Sequence, residues 1–361
     1  MKFRLFCHSL VSDWNHGNAH FLRGVARALK HAGHQVRALE PRGAWSATNL
    51  VCDAGPEAVQ EFHDVFPDID IRVYDPAHPP LDEELADADV VLVHDWNDPS
   101  LVAAIGEHHR RHDGYVLLFY DAHHRAATAP EQVRAFDLSG YDAVLAFGAV
   151  IRDLYLEHGW ARRAYVWHEA ADTRLFSPGN GHAKEGELVW IGNWGDGERT
   201  AELHEFLLGP ARHLGLRGHI HGVRYPAEAR RAVSESGLRY EGWLPNYRAP
   251  EAFARHRVTV HVPRRAYVRR IPGVPTIRVF EALACGIPLV SAPWEDREGL
   301  FAAGEDYLVA RDGTEMARRL RELLDDPEAA QQLAANGVAT IHRRHTCAHR
   351  VQELETIVGE L

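Results

Sequence analysis

The feature that most narrows the fold is an alternation of short apolar runs with amphipathic stretches, sustained from one end of the chain to the other. Apolar runs occupy positions 3–8, 36–39, 69–74, 90–94, 115–120, 143–147 and 164–167. They resume at 188–191, 219–221, 238–240, 258–262, 288–291 and 307–309. Short, nearly continuous apolar runs are the mark of strands buried on both faces. Helical patterns such as 99–111 and 150–158 fit between them. In the first helix Phe21, Leu22, Val25, Ala26 and Leu29 share one face, Asn18 is placed to cap it and Gly33 to stop it. Strands separated by helices pair in parallel, so the expected fold is α/β, with doubly wound sheets covered on both faces.

At 361 residues the chain suits two such Rossmann-like domains. The polar, glycine-rich stretch 177–186 reads as a linker. The expected division is a first domain 1–170, a linker 171–186, a second domain 187–345 and a last helix 346–361. The two sheets are expected to face a cleft with their carboxyl ends, where open α/β sheets bind ligands.

A net charge of −11 argues against general nucleic-acid binding, which needs a surplus of Lys and Arg. The four cysteines, Cys7, Cys52, Cys285 and Cys347, form no CxxC pair and suit reduced thiols. No signal-peptide layout or membrane-length apolar run is present, so a cytoplasmic protein without a membrane span is expected. His108 and His112 have helical i,i+4 spacing but no HExxH carboxylate. A solvated helix face accounts for that pair, and no metal or other cofactor is expected.

The segment from Ile271 to Pro293 is a Gly-Pro loop, a short helix, a glycine stop and a buried strand. Gly273, Val274 and Thr276 precede the helix, and Arg278 and Glu281 lie on it. A helix opening after such a loop aims free N–H groups at an anion, and Glu281, a turn inside, can accept both hydroxyls of a ribose. The same pattern also describes an ordinary amphipathic helix feeding a parallel strand. Upstream, Gly192 and Asn193 open a glycine-rich turn that ends at Arg199, a layout suited to a diphosphate. Trp243 and Leu244, at a strand end, can meet a nucleobase. Arg264, Arg265, Arg269 and Arg270 can offset the charge of a leaving nucleoside diphosphate.

In the first domain, polar residues gather at three strand ends: His16 and Asn18, then Asp95 within His-Asp-Trp-Asn, then Asp121 and His123 within Asp-Ala-His-His-Arg. A Trp-Asn pair and a His pair suit a sugar, and Asp121 is placed to orient His123. No GxSxG elbow supports serine catalysis.

With these pieces in place, the chain resembles the GT-B glycosyltransferases, in the branch that includes the spore-maturation CgeB-like proteins. The resemblance rests on the segment 189–200, on Gly-Trp-Leu-Pro at 242–245, on Arg-Val-Phe-Glu-Ala-Leu-Ala-Cys-Gly at 278–286 and on Leu-Asp-Asp-Pro at 324–327. It implies a nucleotide-sugar donor in the second domain, with Glu281 on the ribose and Gly192–Asn193 facing the diphosphate; UDP and GDP are the candidate nucleotides, and the sequence does not choose between them. It also implies an acceptor in the first domain (saccharide, protein or small molecule), no essential metal, and a last helix crossing back to the first domain. Many retaining members carry a second Glu where this chain has Gly273, so the sugar contact must come from backbone or from elsewhere. The expected activity is a metal-independent, retaining transfer with His123, Asp121, His16 and Asp95 as catalytic candidates. A sugar-nucleotide epimerase and a non-catalytic nucleotide-sugar-binding module are the alternatives.

Overall fold

Residues 1–179, 183–195 and 197–361 are described by a computed structural model. Positions 180–182 of the expected linker and position 196 of the glycine-rich turn lie outside the described residues. The chain forms two compact units, Met1–Glu169 with Cys347–Leu361, and Ala170–Thr346.

The first unit is built on seven strands: β1 (Lys2–Phe6), β2 (Gln35–Pro41), β3 (Ile71–Tyr74), β4 (Val90–His94), β5 (Val116–Asp121), β6 (Ala143–Ala146) and β7 (Ala164–Val166). Their order across the sheet is β3-β2-β1-β4-β5-β6-β7, and every neighbouring pair is parallel. Each run that reads as apolar in sequence has become a strand, because a parallel strand between two helical layers has no polar face to offer. Phe3, Leu5, Val91, Leu117 and Phe119 have no exposed surface. The winding reverses between β1 and β4, which opens a crevice at their carboxyl ends.

The helix Ala19–His31 buries Phe21, Leu22, Val25, Ala26 and Leu29, the stripe its sequence specifies. Asn18 stands at its start but does not cap it: its side chain makes no cap hydrogen bond, and Nδ2 donates to Glu169 Oε1 at 2.7 Å. That bond to the carboxylate fixes the amide plane, and Oδ1, the atom a cap would use, accepts none of the helix's first N–H groups. The helix Cys347–Glu360 belongs to this unit, packs on Ala19–His31 and buries Val351, Leu354 and Ile357. Trp167 Nε1 donates to the carbonyl of Arg350 at 2.8 Å, tying the same helix to the end of β7.

A second departure concerns the helix Pro99–Arg111. His108 is not on a solvated face but only 4% exposed, because its ring lies against Tyr115 just ahead of β5.

The second unit carries β8 (Gly186–Ile191), β9 (Gly218–His221), β10 (Leu238–Gly242), β11 (His256–His261), β12 (Leu289–Ser291) and β13 (Leu308–Val309). Their order is β10-β9-β8-β11-β12-β13, again all parallel, and it reverses between β8 and β11. Leu188, Trp190, Ile220, Val258, Val260 and Val290 form its core with the covering helices. Asp312 and Asp326 cap the two long helices Gly313–Asp325 and Pro327–Arg344, accepting N–H bonds from Glu315 and Ala329. Among the described residues no helix is long and apolar enough to cross a membrane.

Candidate functional site

In the second unit, the loops after β8 and β11 meet at the reversal point, and Arg199 joins them. Its Nη1 donates to the carbonyl of Val262 at 2.9 Å and its Nη2 to that of Asn193 at 2.5 Å. The guanidinium lies over the Trp190 ring at 5.1 Å. Burial, and then the neighbouring Arg264, push its pKa down to about 10. Arg199 therefore shapes the glycine-rich turn from inside while adding positive charge to it. Gly192 is required there: a Cβ would lie 2.8 Å from the Trp190 ring, which is itself in the core. Asn193 Oδ1 accepts the backbone N–H of Val223 at 2.9 Å, and the Tyr225 hydroxyl donates to the carbonyl of Gly192 at 2.9 Å.

The loop after β11 reaches the helix Ile277–Ala284 through His261, whose ring bridges the hydroxyls of Ser291 at 2.9 Å and Thr276 at 3.0 Å. Burial and the charges of Arg199 and Arg278 hold the His261 pKa down at about 3, so this histidine stays neutral. Thr276 begins that helix without a side-chain cap, and Val274 is fully buried ahead of it, its carbonyl accepting from Trp294 Nε1 at 3.2 Å. Gly273 has φ +97°, and a Cβ there would lie 3.2 Å from Arg297 Cβ, so the position is closed to a glutamate without strain.

Glu281 has no exposed surface; Oε1 accepts from Asn246 Nδ2 at 2.6 Å, and Oε2 pairs with Arg278. The carboxylate is thus already held in one orientation, between the helix and the turn that follows β10. Trp243 and Leu244, half-buried, occupy that same turn. Arg264 faces Glu198 at 3.2 Å and Arg265 is paired with both oxygens of Glu202, while Arg269 and Arg270 are exposed.

In the first unit, the loops after β1, β4 and β5, with the start of the helix Trp45–Ala54 that follows β2, form an aromatic and histidine cluster at the other reversal point. His8 stacks on Trp45 at 4.6 Å; His16 meets His8 and His94 at 5.4 and 5.7 Å between ring centroids. Trp96 meets Trp45 at 6.0 Å and His123 at 5.2 Å. Burial and the mutual repulsion of these rings bring His8 to about 4 and His16 well below its ordinary value. His94 is also held at about 4 by burial, against the pull of Asp95.

Asp95 pairs with Arg125 at 2.5 Å, and that guanidinium covers Trp96 at 4.6 Å. Burial opposes ionisation of Asp95, but His94 and Arg125 prevail and its carboxyl lies below its usual range. Asp121 behaves oppositely: burial, and then the charge of Asp95, push it up to about 7. Its Oδ1 accepts the backbone N–H of His123 at 2.9 Å and its Oδ2 the hydroxyl of Tyr155 at 2.8 Å. The hydrogen bond to His123 runs to the backbone, so Asp121 fixes the turn that presents the ring. His123 is half-buried and His124, its neighbour, is buried.

Several residues at these sites escape a sequence reading. Glu40, buried at the end of β2, gathers the loop after β1 by accepting from the backbone N–H groups of Leu10 and Val11 and from the Ser9 hydroxyl. His8, Trp45, Tyr155, Asn246 and His261 are the others. For His8 and His261 a signal exists, since each is a polar residue at the carboxyl end of an apolar run.

Residues 199–356 match a protein family described as glycosyl transferase-like. No curated protein matches the chain. Among solved structures, Anabaena HepE in complex with UDP and glucose is similar at a TM-score of 0.70 and 14% identity, with 100% of each chain covered. Sucrose-phosphate synthase from Thermosynechococcus elongatus has a TM-score of 0.66 and 15% identity, over 100% of this chain and 98% of that one. A mutant of S. aureus TarM, in complex with fondaparinux, α-GlcNAc-glycerol and UDP, has a TM-score of 0.69 and 8% identity, over 99% of both chains. The structural likeness shows the GT-B fold, and the family match indicates a glycosyltransferase.

Proposed function

We propose that the chain transfers a sugar from a nucleoside-diphosphate donor, UDP-linked, to a hydroxyl-bearing acceptor, with the donor held by the second unit and the acceptor by the first. The observation that carries this reading is the second unit's reversal point. A glycine-rich turn, a cluster of arginines and a pre-oriented carboxylate meet there at the carboxyl ends of β8 and β11. Gly192, Asn193, Arg199, Arg264 and Arg265 serve the diphosphate, Glu281 the ribose, and Trp243 and Leu244 the base. A ribose would replace Arg278 on Glu281 Oε2 and free that guanidinium for phosphate. The UDP bound by HepE and TarM supports the choice of nucleotide. The segments 242–245 and 278–286 support the CgeB-like branch.

The sugar itself is met by backbone around Gly273 and Val274, since a glutamate does not fit at Gly273. A retaining outcome is favoured by the state of the two carboxylates of the first unit. Asp95 and Asp121 are each 1% exposed and held by Arg125, by Tyr155 and by the His123 backbone, so burial keeps both from reaching an acceptor hydroxyl although Asp121, at about 7, has the basicity for it. In a retaining route the leaving phosphate can take that proton. His123 then contacts the transferred sugar or the acceptor, Asp121 and Asp95 position His123 and Arg125, and His16 lines the cluster. The charge of the leaving group falls to arginines rather than to a metal.

The test is a donor panel with product analysis. UDP should raise the melting temperature more than GDP, and the UDP-sugar should glycosylate a hydroxyl acceptor in excess chelator. Loss of turnover on chelation, restored by metal, would contradict a metal-independent step. Conversion of the sugar with no acceptor present would identify an epimerase instead.

A further inference from the structure

We propose that Asp82, His108 and His112 form a binding site for one divalent transition-metal ion, zinc by preference, at the end of the first sheet opposite the loops described above. The three side chains come from two neighbouring elements. Asp82 lies on the short helix Leu81–Leu85, which leads into β4; His108 is in the last turn of Pro99–Arg111, which leads back to β5; and His112 follows it directly. Helices that lead into the start of a parallel strand end at the sheet's amino edge, so this group is remote from the carboxyl ends.

One ligating atom from each residue lies within 4.8 Å of the other two. His108 Nε2 is 3.4 Å from Asp82 Oδ1, close to the separation of about 3.3 Å between ligands on a tetrahedral zinc ion. The His108 and His112 rings are 4.7 Å apart between centroids. The remaining approach falls to Asp82, whose side chain is 93% exposed, and to His112, also exposed; both can rotate without disturbing packing.

His108 is oriented as a metal-binding histidine is. Its Nδ1 is 3.0 Å from the Tyr115 hydroxyl and its side chain is 5% exposed. The outer hydrogen bond fixes the ring and leaves Nε2 facing Asp82, the arrangement that supports ligation. Two imidazoles and one carboxylate suit zinc and the late first-row metals that precede it, nickel and copper, better than magnesium or calcium, which take oxygen shells. With solvent completing the shell on the exposed side, the ion would cross-link two segments otherwise joined through β4.

The test uses the full chain, stripped of metal and titrated with zinc chloride in a calorimeter. Wild type should bind one equivalent and gain melting temperature as it does so. Asp82→Ala and His112→Ala, both at exposed positions, should each weaken binding by about tenfold or more and lose the thermal gain. His78→Ala, which removes a surface histidine beside Asp75, is the control and should bind as wild type does. Wild-type affinity in either ligand variant would overturn the site, as would failure of wild type to take up an equivalent or loss of binding in the control.

Discussion

At the scale of single residues, the two reversal points use charge in opposite ways. Around Glu281 the charges are paired and ready to exchange partners, so Glu281→Gln should weaken UDP binding by about 1–3 kcal/mol, the worth of charge-assisted hydrogen bonds. Calorimetry on variant that still melts cooperatively checks this, and equal affinity would remove Glu281 from the donor site. Around His123 the neighbours are the Trp96 and His124 rings, in a cluster whose His8, His16 and His94 are kept neutral by burial. His123→Ala should lower turnover by about a hundredfold or more, as loss of a group that contacts the reacting centre does, and leave UDP affinity unchanged. An unaffected kcat would assign the ring to packing against Trp96 and turn attention to His16. Most of these residue types and positions are legible in the sequence, because a polar residue ending an apolar run stands out. Their partners are not: Asn18 bonds Glu169, and Leu10 is held by Glu40, through contacts that local pattern does not contain.

At the scale of elements, strand periodicity survives folding almost intact, because alternation between layers is a local property of the chain. What it cannot carry is how close two elements approach. The turn after β8 is an instance: Trp190 lies inside it, Arg199 behind it, and only a glycine fits between. Gly192→Ala should therefore cost about 1–3 kcal/mol of stability through overpacking, and should also weaken UDP binding by displacing the turn. Denaturant melts and a UDP titration read both effects, and an unperturbed variant would show that the turn yields more easily than its contacts suggest. The helix Pro99–Arg111 teaches a related point. Its i,i+4 histidines look like a solvated face in sequence, but Tyr115, just beyond the helix, buries one of them.

At the scale of the whole molecule, the buried histidines set the response to acid. His8, His94 and His221 titrate near 4 and His261 near 3 when folded, each held down first by burial, against 6.5 when free. Their folded values lie below the unfolded one, so the unfolded chain binds more protons in that window. Their contribution to stability is full above about pH 6.5 and is lost as pH falls toward 4. Asp121 runs the other way, about 7 folded against 3.8 free, so its contribution declines as pH rises through 7. The histidines outnumber it, and the melting temperature should fall on going from pH 7 to pH 4.5; a flat profile in scanning calorimetry would contradict neutral burial. The helix Cys347–Glu360 carries a consequence of another kind. Ala170–Thr346 is one uninterrupted run, whereas the first unit needs this helix from the far end of the chain. During synthesis, then, the first-made unit is the last to be completed. Until that helix emerges, the face of Ala19–His31 that it covers stays open to chaperones and proteases, and the ribosome's direction sets the order in which the molecule matures.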